Sequence, residues 1–192
     1  MRAAVTLCLA LVSIGCGPPA HVRELASVGL RAQEIGSGWY RFISEDGYRF
    51  RMPGIPRCQR ETFHYARRVI PATFCDLRAE RNSRGYLFRA FDAAEMDWRE
   101  REDLRLQAED QIVRVGDEVS DVREVRHREV TAFERVVSPV SDNGHIGIVR
   151  TLVYGPHVFQ LVIIVSLGSG DPQDARTFFD SVQRSPDRAP TG

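Results

Sequence analysis

The chain has 192 residues, 43% of them hydrophobic and 27% charged, which is enough for one globular domain with its own core and excludes a disordered chain. Its 26 basic residues balance its 26 acidic ones, so it lacks the basic excess of a nucleic-acid binder, and no nucleic-acid partner is expected. Every basic residue is arginine, which excludes a Schiff-base lysine, a Walker-type phosphate-binding lysine and a Ser-Lys dyad.

Arg2 is followed by an apolar run over residues 3–15. A transmembrane helix takes about 20 apolar residues, so this run is too short to span a bilayer. A charged start, a short apolar stretch and small residues at its end mark residues 1–15 as a secretory signal peptide. Of the four cysteines, Cys8 lies inside this leader and is removed with it. Cys58 and Cys75 flank a predicted hairpin, with strands over 59–65 and 69–74 and a turn at Ala66-Arg67-Arg68. The register that pairs Tyr65 with Arg68 sets Cys58 directly opposite Cys75, within disulfide reach. An oxidising compartment favours the bond, and two buried free thiols are the alternative. Zinc is disfavoured, because no Cys-x-x-Cys or paired histidine accompanies them.

A Cys58–Cys75 bond leaves Cys16 unpaired in an exported chain. Ser13-Ile14-Gly15-Cys16 resembles a bacterial lipobox, in which a small residue precedes a cysteine that becomes diacylated and N-terminal. Ser13 departs from the Leu, Val or Ile that the family prefers there, and Ser13 with Gly15 also suits an ordinary signal peptidase. Cysteine parity separates the two, since lipidation uses the leftover thiol and ordinary cleavage exposes it. The resemblance implies attachment to the membrane through lipid on Cys16. Gly17 rather than aspartate after it implies the outer membrane, facing the periplasm.

Residues 16–38, from Pro18-Pro19 to Gly36-Ser37-Gly38, read as a lipidated N-terminus and extended tether, with the folded domain over 39–185 and a disordered tail over 186–192. A hairpin over 39–52 turns at Glu45-Asp46-Gly47, and the disulfide hairpin follows. Residues 86–91 alternate as a strand. Asp92 with Glu95 forms a capping-box pattern, and Ala94, Trp98, Leu104, Ala108, Ile112 and Val115 recur at helical spacing up to Gly116, with Arg101 breaking the stripe. Residues 118–128 fit neither period. A strand over 130–137 precedes an Asn143-Gly144 turn and a second hairpin, 145–154 and 157–167, around Gly155-Pro156. Its second strand has almost no polar face and belongs in the centre of a sheet, covered on both sides. Asp171-Pro172 starts a final helix with the stripe Ala175, Phe178, Phe179 and Val182, ending at Pro186.

These elements predict a single α+β domain, an antiparallel β-sheet with α-helices packed on its faces. Their order, with "RGYLFRAFD", a middle helix, "HVFQLVIIVSL" and a closing "DARTFFDSVQRS", resembles the PsbP-like fold. That resemblance implies an α/β/α sandwich and a binding or assembly role rather than a defined chemistry.

The five histidines, His21, His64, His127, His145 and His157, show no metal-binding spacing on one helix face, and no cofactor is expected. His145 and His157 flank one predicted hairpin close to Asp142, and these three form the one candidate metal or hydrolytic constellation. Glu100, Glu102, Asp103, Glu109 and Asp110 alternate with Arg99, Arg101 and Arg105 on what reads as a solvated, ion-paired helix face. No nucleophile elbow, glycine-rich phosphate loop or His-Glu-x-x-His is present. Two functions follow from this reading. One is a non-catalytic envelope lipoprotein whose domain binds or scaffolds an envelope protein partner. The other is a small metal-dependent or hydrolytic enzyme, which requires His145, His157 and Asp142 to converge.

Overall fold

A computed structural model describes residues 20–79, 84–113, 117–138, 144–166 and 172–184. In chain order its elements are α1 (Ala20–Ser27), β1 (Leu30–Gly36), β2 (Trp39–Ser44), β3 (Tyr48–Met52), β4 (Arg57–Tyr65), β5 (Arg68–Ala79), β6 (Arg84–Asp92) and α2 (Trp98–Asp110). Then follow β7 (Glu118–Val119), β8 (Arg123–His127), β9 (Val130–Ser138), β10 (His145–Tyr154), β11 (His157–Ser166), α3 (Pro172–Phe179) and β12 (Gln183–Arg184). The strands form two antiparallel sheets. The larger runs β4-β5-β6-β11-β10-β9, with β7 and β8 both on the far edge of β9, and the smaller runs β1-β2-β3-β12.

The predicted α/β/α arrangement, helices on both faces of one sheet, is corrected. The protein is mostly β, and its principal layers are two sheets with three short helices. The physical reason lies in the partner of the large sheet's inner face. Phe42 on β2 and Tyr48, Phe50 and Met52 on β3 alternate inward with period two. They bury against Phe88 on β6 and Phe159 and Leu161 on β11 in one continuous core. Phe50 stacks on Phe88 with centroids 3.7 Å apart, and Tyr48 meets Phe159 edge-on at 5.4 Å. A second sheet therefore occupies the place expected for helices. Of the described helices, α2 is the one on the outer face, where Leu104 and Ala108 pack with Phe91, Val153 and Val158.

The predicted tether is also corrected where it is described. Leu25, Val28 and Leu30 are 1–3% exposed and belong to the main core, so residues from 20 onward are part of the folded unit and the boundary expected at 39 falls inside the small sheet. The final helix ends at Phe179, and the chain returns through Val182 to pair β12 with β3. The ambiguous 118–128 segment supplies β7 and β8, which pair with β9. The middle helix starts five residues later than expected. Its cap is Asp97, whose side chain accepts from the Glu100 N–H at 2.9 Å while Glu100 accepts from the Asp97 N–H at 3.0 Å. Asp92 instead accepts from the Ala94 N–H at 3.3 Å. Arg101 donates to the carbonyls of Ala93, Met96 and Gly155 and so ties the start of α2 to the β10–β11 turn.

Other features match the expectations. The Asp46-Gly47 turn joins β2 to β3 with Gly47 at φ 85°, where a side chain is disfavoured. Tyr65 pairs with Arg68, and Cys58 and Cys75 face each other and are joined by a disulfide. β11 lies between β6 and β10 with eight of its ten residues buried.

Candidate functional site

Cys16 and Asp142 lie outside the described residues, as do the leader and the expected tail. Cys58 and Cys75 are 5% and 0% exposed, and their bond ties the edge strand β4 to β5 inside the core. His145 and His157 do not come together. His145 pairs with Ser166 and His157 with Tyr154, at opposite ends of a ten-residue hairpin. At about 3.4 Å per residue they are separated by roughly 30 Å. They also alternate in facing, His145 on the outer side and His157 on the inner. His157 donates to the Asp46 carbonyl through Nε2 at 3.2 Å, with Tyr48 edge-on at 5.1 Å. Among the described residues, no group of three or more His, Cys, Asp and Glu is placed to hold a metal ion.

The concentrated polar chemistry lies elsewhere, on the outer face of the large sheet beneath α2. Strand registers align Gln59, Phe74, Arg89, Gln160, Thr151 and Phe133 in a single row across β4, β5, β6, β11, β10 and β9. Side chains opposite one another in a ladder share a face, so this row forms one belt. At its β10 end, Arg105 and Glu109 of α2 point down into it. They are 5% and 2% exposed, against the expectation of a solvated helix face. Arg105 donates to Glu109 Oε2 at 3.0 Å, to Glu102 Oε2 at 2.8 Å and to Thr151 Oγ1 at 3.2 Å. Its guanidinium carbon sits 3.9 Å from the centre of the Phe133 ring. Thr151 in turn donates to Glu109 Oε2 at 3.2 Å, and Arg135 forms an ion pair with Glu109 Oε1. Two carboxylates and two guanidiniums thus neutralise one another around the buried Arg105–Glu109 pair, with Glu102 and Arg135 half-buried at its edge. The central pair is costly to break, because removing either Arg105 or Glu109 leaves a buried charge short of a partner.

The middle of the belt is Gln160, the one amide within the apolar strand β11. Its Nε2 donates to the Ala108 carbonyl of α2 at 2.6 Å, and its Oε1 accepts from Arg89 at 3.4 Å. Arg89 is the more accessible member. Its guanidinium carbon lies 5.2 Å from the Phe74 ring centre and 5.8 Å from that of Phe91, and Glu61 Oε2 stands 3.4 Å from its NH2. Burial, the larger influence, lowers the Arg89 pKa, and the Glu61 carboxylate opposes that shift. Among the described residues its buried Nε has no hydrogen-bond partner.

Arg89 opens on a cleft of about 180 Å³. Phe63, Ala72 and Phe91 line it on the apolar side, and Glu61, Arg89 and Gln111 on the polar side. β4, β5 and β6 supply all of these except Gln111, the C-cap of α2. Polar and apolar surface line the cleft in about equal parts, with Thr62 and His64 at its margin, so it has room for a small ligand with one charged end. Sequence reading missed this site, although one signal was available. Thr151 and Gln160 are polar residues midway along two mainly apolar strands, and the Gly155-Pro156 turn sets them opposite each other.

No protein-family model matches the chain, and no curated protein matches it significantly.

Proposed function

We propose that the chain is an exported envelope protein anchored by lipid on Cys16, and that its two-sheet domain is a binding module rather than an enzyme. The carrying observation is the Cys58–Cys75 bond, which consumes two of the three cysteines outside the leader and leaves Cys16. A buried disulfide suits an oxidising compartment, as the signal-like residues 1–15 and the lipobox-like Ser13-Ile14-Gly15-Cys16 do. The outer membrane, facing the periplasm, is the address that Gly17 favours.

The fold sharpens this reading. Helix α1 begins at Ala20, four residues after Cys16, a span of at most about 14 Å. The domain is then held close against the bilayer surface rather than suspended from a long tether. The binding reading draws support from the separation of His145 and His157, the residues best suited to chemistry. Further support comes from large apolar side chains left in solvent on α2, where Trp98 is 60% and Leu106 47% exposed. No helix among the described residues is long and apolar enough to cross a membrane.

Fractionation of cells that produce the whole chain or its Cys16→Ser variant tests the proposal. The parent chain is expected in the membrane fraction and in the detergent-rich phase of a phase separation, and the variant in the soluble phase. Identical partitioning of the two would contradict the anchor.

A further inference from the structure

We propose that the cleft over Arg89 binds small organic carboxylates that carry a compact apolar body. The inference rests on reading the domain as a binding module and is independent of the anchor. A guanidinium offers five donors in a planar fork that matches a carboxylate in two parallel hydrogen bonds. In this protein those donors are engaged loosely. The contacts to Gln160 and Glu61 are both 3.4 Å, whereas charge-assisted N–H···O bonds are typically about 2.7–2.9 Å. The guanidinium is nevertheless held in position, with Phe74 and Phe91 within stacking range. A cation fixed in place by apolar rings, with weak partners and an open side, is preorganised for an anionic ligand.

Glu61 is the internal competitor, and it has an alternative partner. Its Oε1 accepts from Gln59 Nε2 at 3.0 Å, so the carboxylate keeps a hydrogen bond when a ligand takes its place on Arg89. The apolar body follows from the remaining walls. Phe63 edges the cleft, and the almost fully buried Ala72 and Phe91 close its floor with hydrocarbon. An apolar cavity of about 150 Å³ accommodates benzene, so a space of about 180 Å³ is matched to a single ring or a short branched chain with its carboxylate.

The test is an NMR titration of the full mature chain, disulfide intact, with benzoate, benzamide and acetate as probes. Benzoate is expected to shift the Arg89 side-chain Nε–H signal and the amides of Ala72 and Phe91. Benzamide, which lacks the charge, and acetate, which lacks the ring, are each expected to bind about tenfold more weakly, the worth of one charge-assisted hydrogen bond or of the apolar contact. Arg89→Gln is expected to cost benzoate a similar factor. Glu61→Gln, at a partly exposed position on the edge strand β4, is expected to tighten benzoate about threefold by removing the competitor. Equal binding of benzoate and benzamide, weaker binding in Glu61→Gln, or no response of the cleft to benzoate overturns the assignment. A partner protein that copurifies with the chain while the cleft ignores benzoate would remove this ligand and leave the binding-module reading standing. If neither binds, both readings fall.

Discussion

His127 sits at the end of β8 with 1% of its surface exposed, and its Nε2 donates to the Val182 carbonyl at 3.0 Å. The carbonyl can only accept, so Nε2 carries the proton and Nδ1 is a buried acceptor without a partner among the described residues. Burial pushes its pKa down, the Val182 contact and Asp180 push it up, and Arg150 and Arg128 push it down, with a net lowering. Tyr154 packs edge-on against the ring and hydrogen-bonds Glu129. A histidine with a folded pKa below its unfolded value of about 6.5 contributes fully above that value. The contribution is lost as pH falls from about 6.5 through the folded pKa, because the unfolded chain takes up the proton first. Urea unfolding at a series of pH values should therefore show a shallower decline below about 6.5 in His127→Gln than in the parent, and equal slopes would contradict this account. Replacing Glu109 by Ala leaves the half-buried Arg135 without its carboxylate and the buried Arg105 with Glu102 alone, which should cost about 3 kcal/mol in urea unfolding. A loss under about 1 kcal/mol would mean that water reaches the cluster. Neither Glu109 nor Arg105 was legible as buried, because helical periodicity reads charged residues as the solvent face. What overrides it is the polar belt, and that depends on Thr151 and Gln160, some forty to fifty residues farther along the chain.

At the scale of elements, legibility followed local signals. The β4–β5 register was readable because a short turn and two cysteines constrain it, and β11 because a strand without a polar face has to be central. The start of α2 was misplaced because the chain carries two Asp-x-x-Glu patterns five residues apart, and both make local side-chain hydrogen bonds. Only one is followed by helix. α1 and β1 were unreadable for a different reason: three core residues, Leu25, Val28 and Leu30, are too few to form a stripe, and the layer that buries them is built from distant strands. The same dependence hid the second sheet, since each of its strands is short and its partner surface lies on β6 and β11. Asp97→Ala should cost about 1 kcal/mol and speed hydrogen exchange of the first-turn amides of α2 about fivefold. Unchanged exchange there would show that Arg101, with its three carbonyl contacts, fixes the helix start without the cap.

At the scale of the whole molecule, one aromatic core joins the two sheets, α2 rests on the outer face through a polar belt, and one covalent cross-link pins an edge strand. Closing a loop with a sequence separation of 17 residues should contribute about 3 kcal/mol. The Cys58→Ala/Cys75→Ala double variant is accordingly expected to unfold at lower urea by that amount, and an unchanged midpoint would assign the bond no stabilising role. This cross-link also carries the functional account, because it removes two thiols from consideration and leaves Cys16. The most direct measurement is mass spectrometry of the N-terminal peptide of the protein purified from membranes. A peptide that begins at Cys16 and bears acyl chains is expected; an N-terminus at another residue, or a Cys16 without lipid, would contradict the anchor.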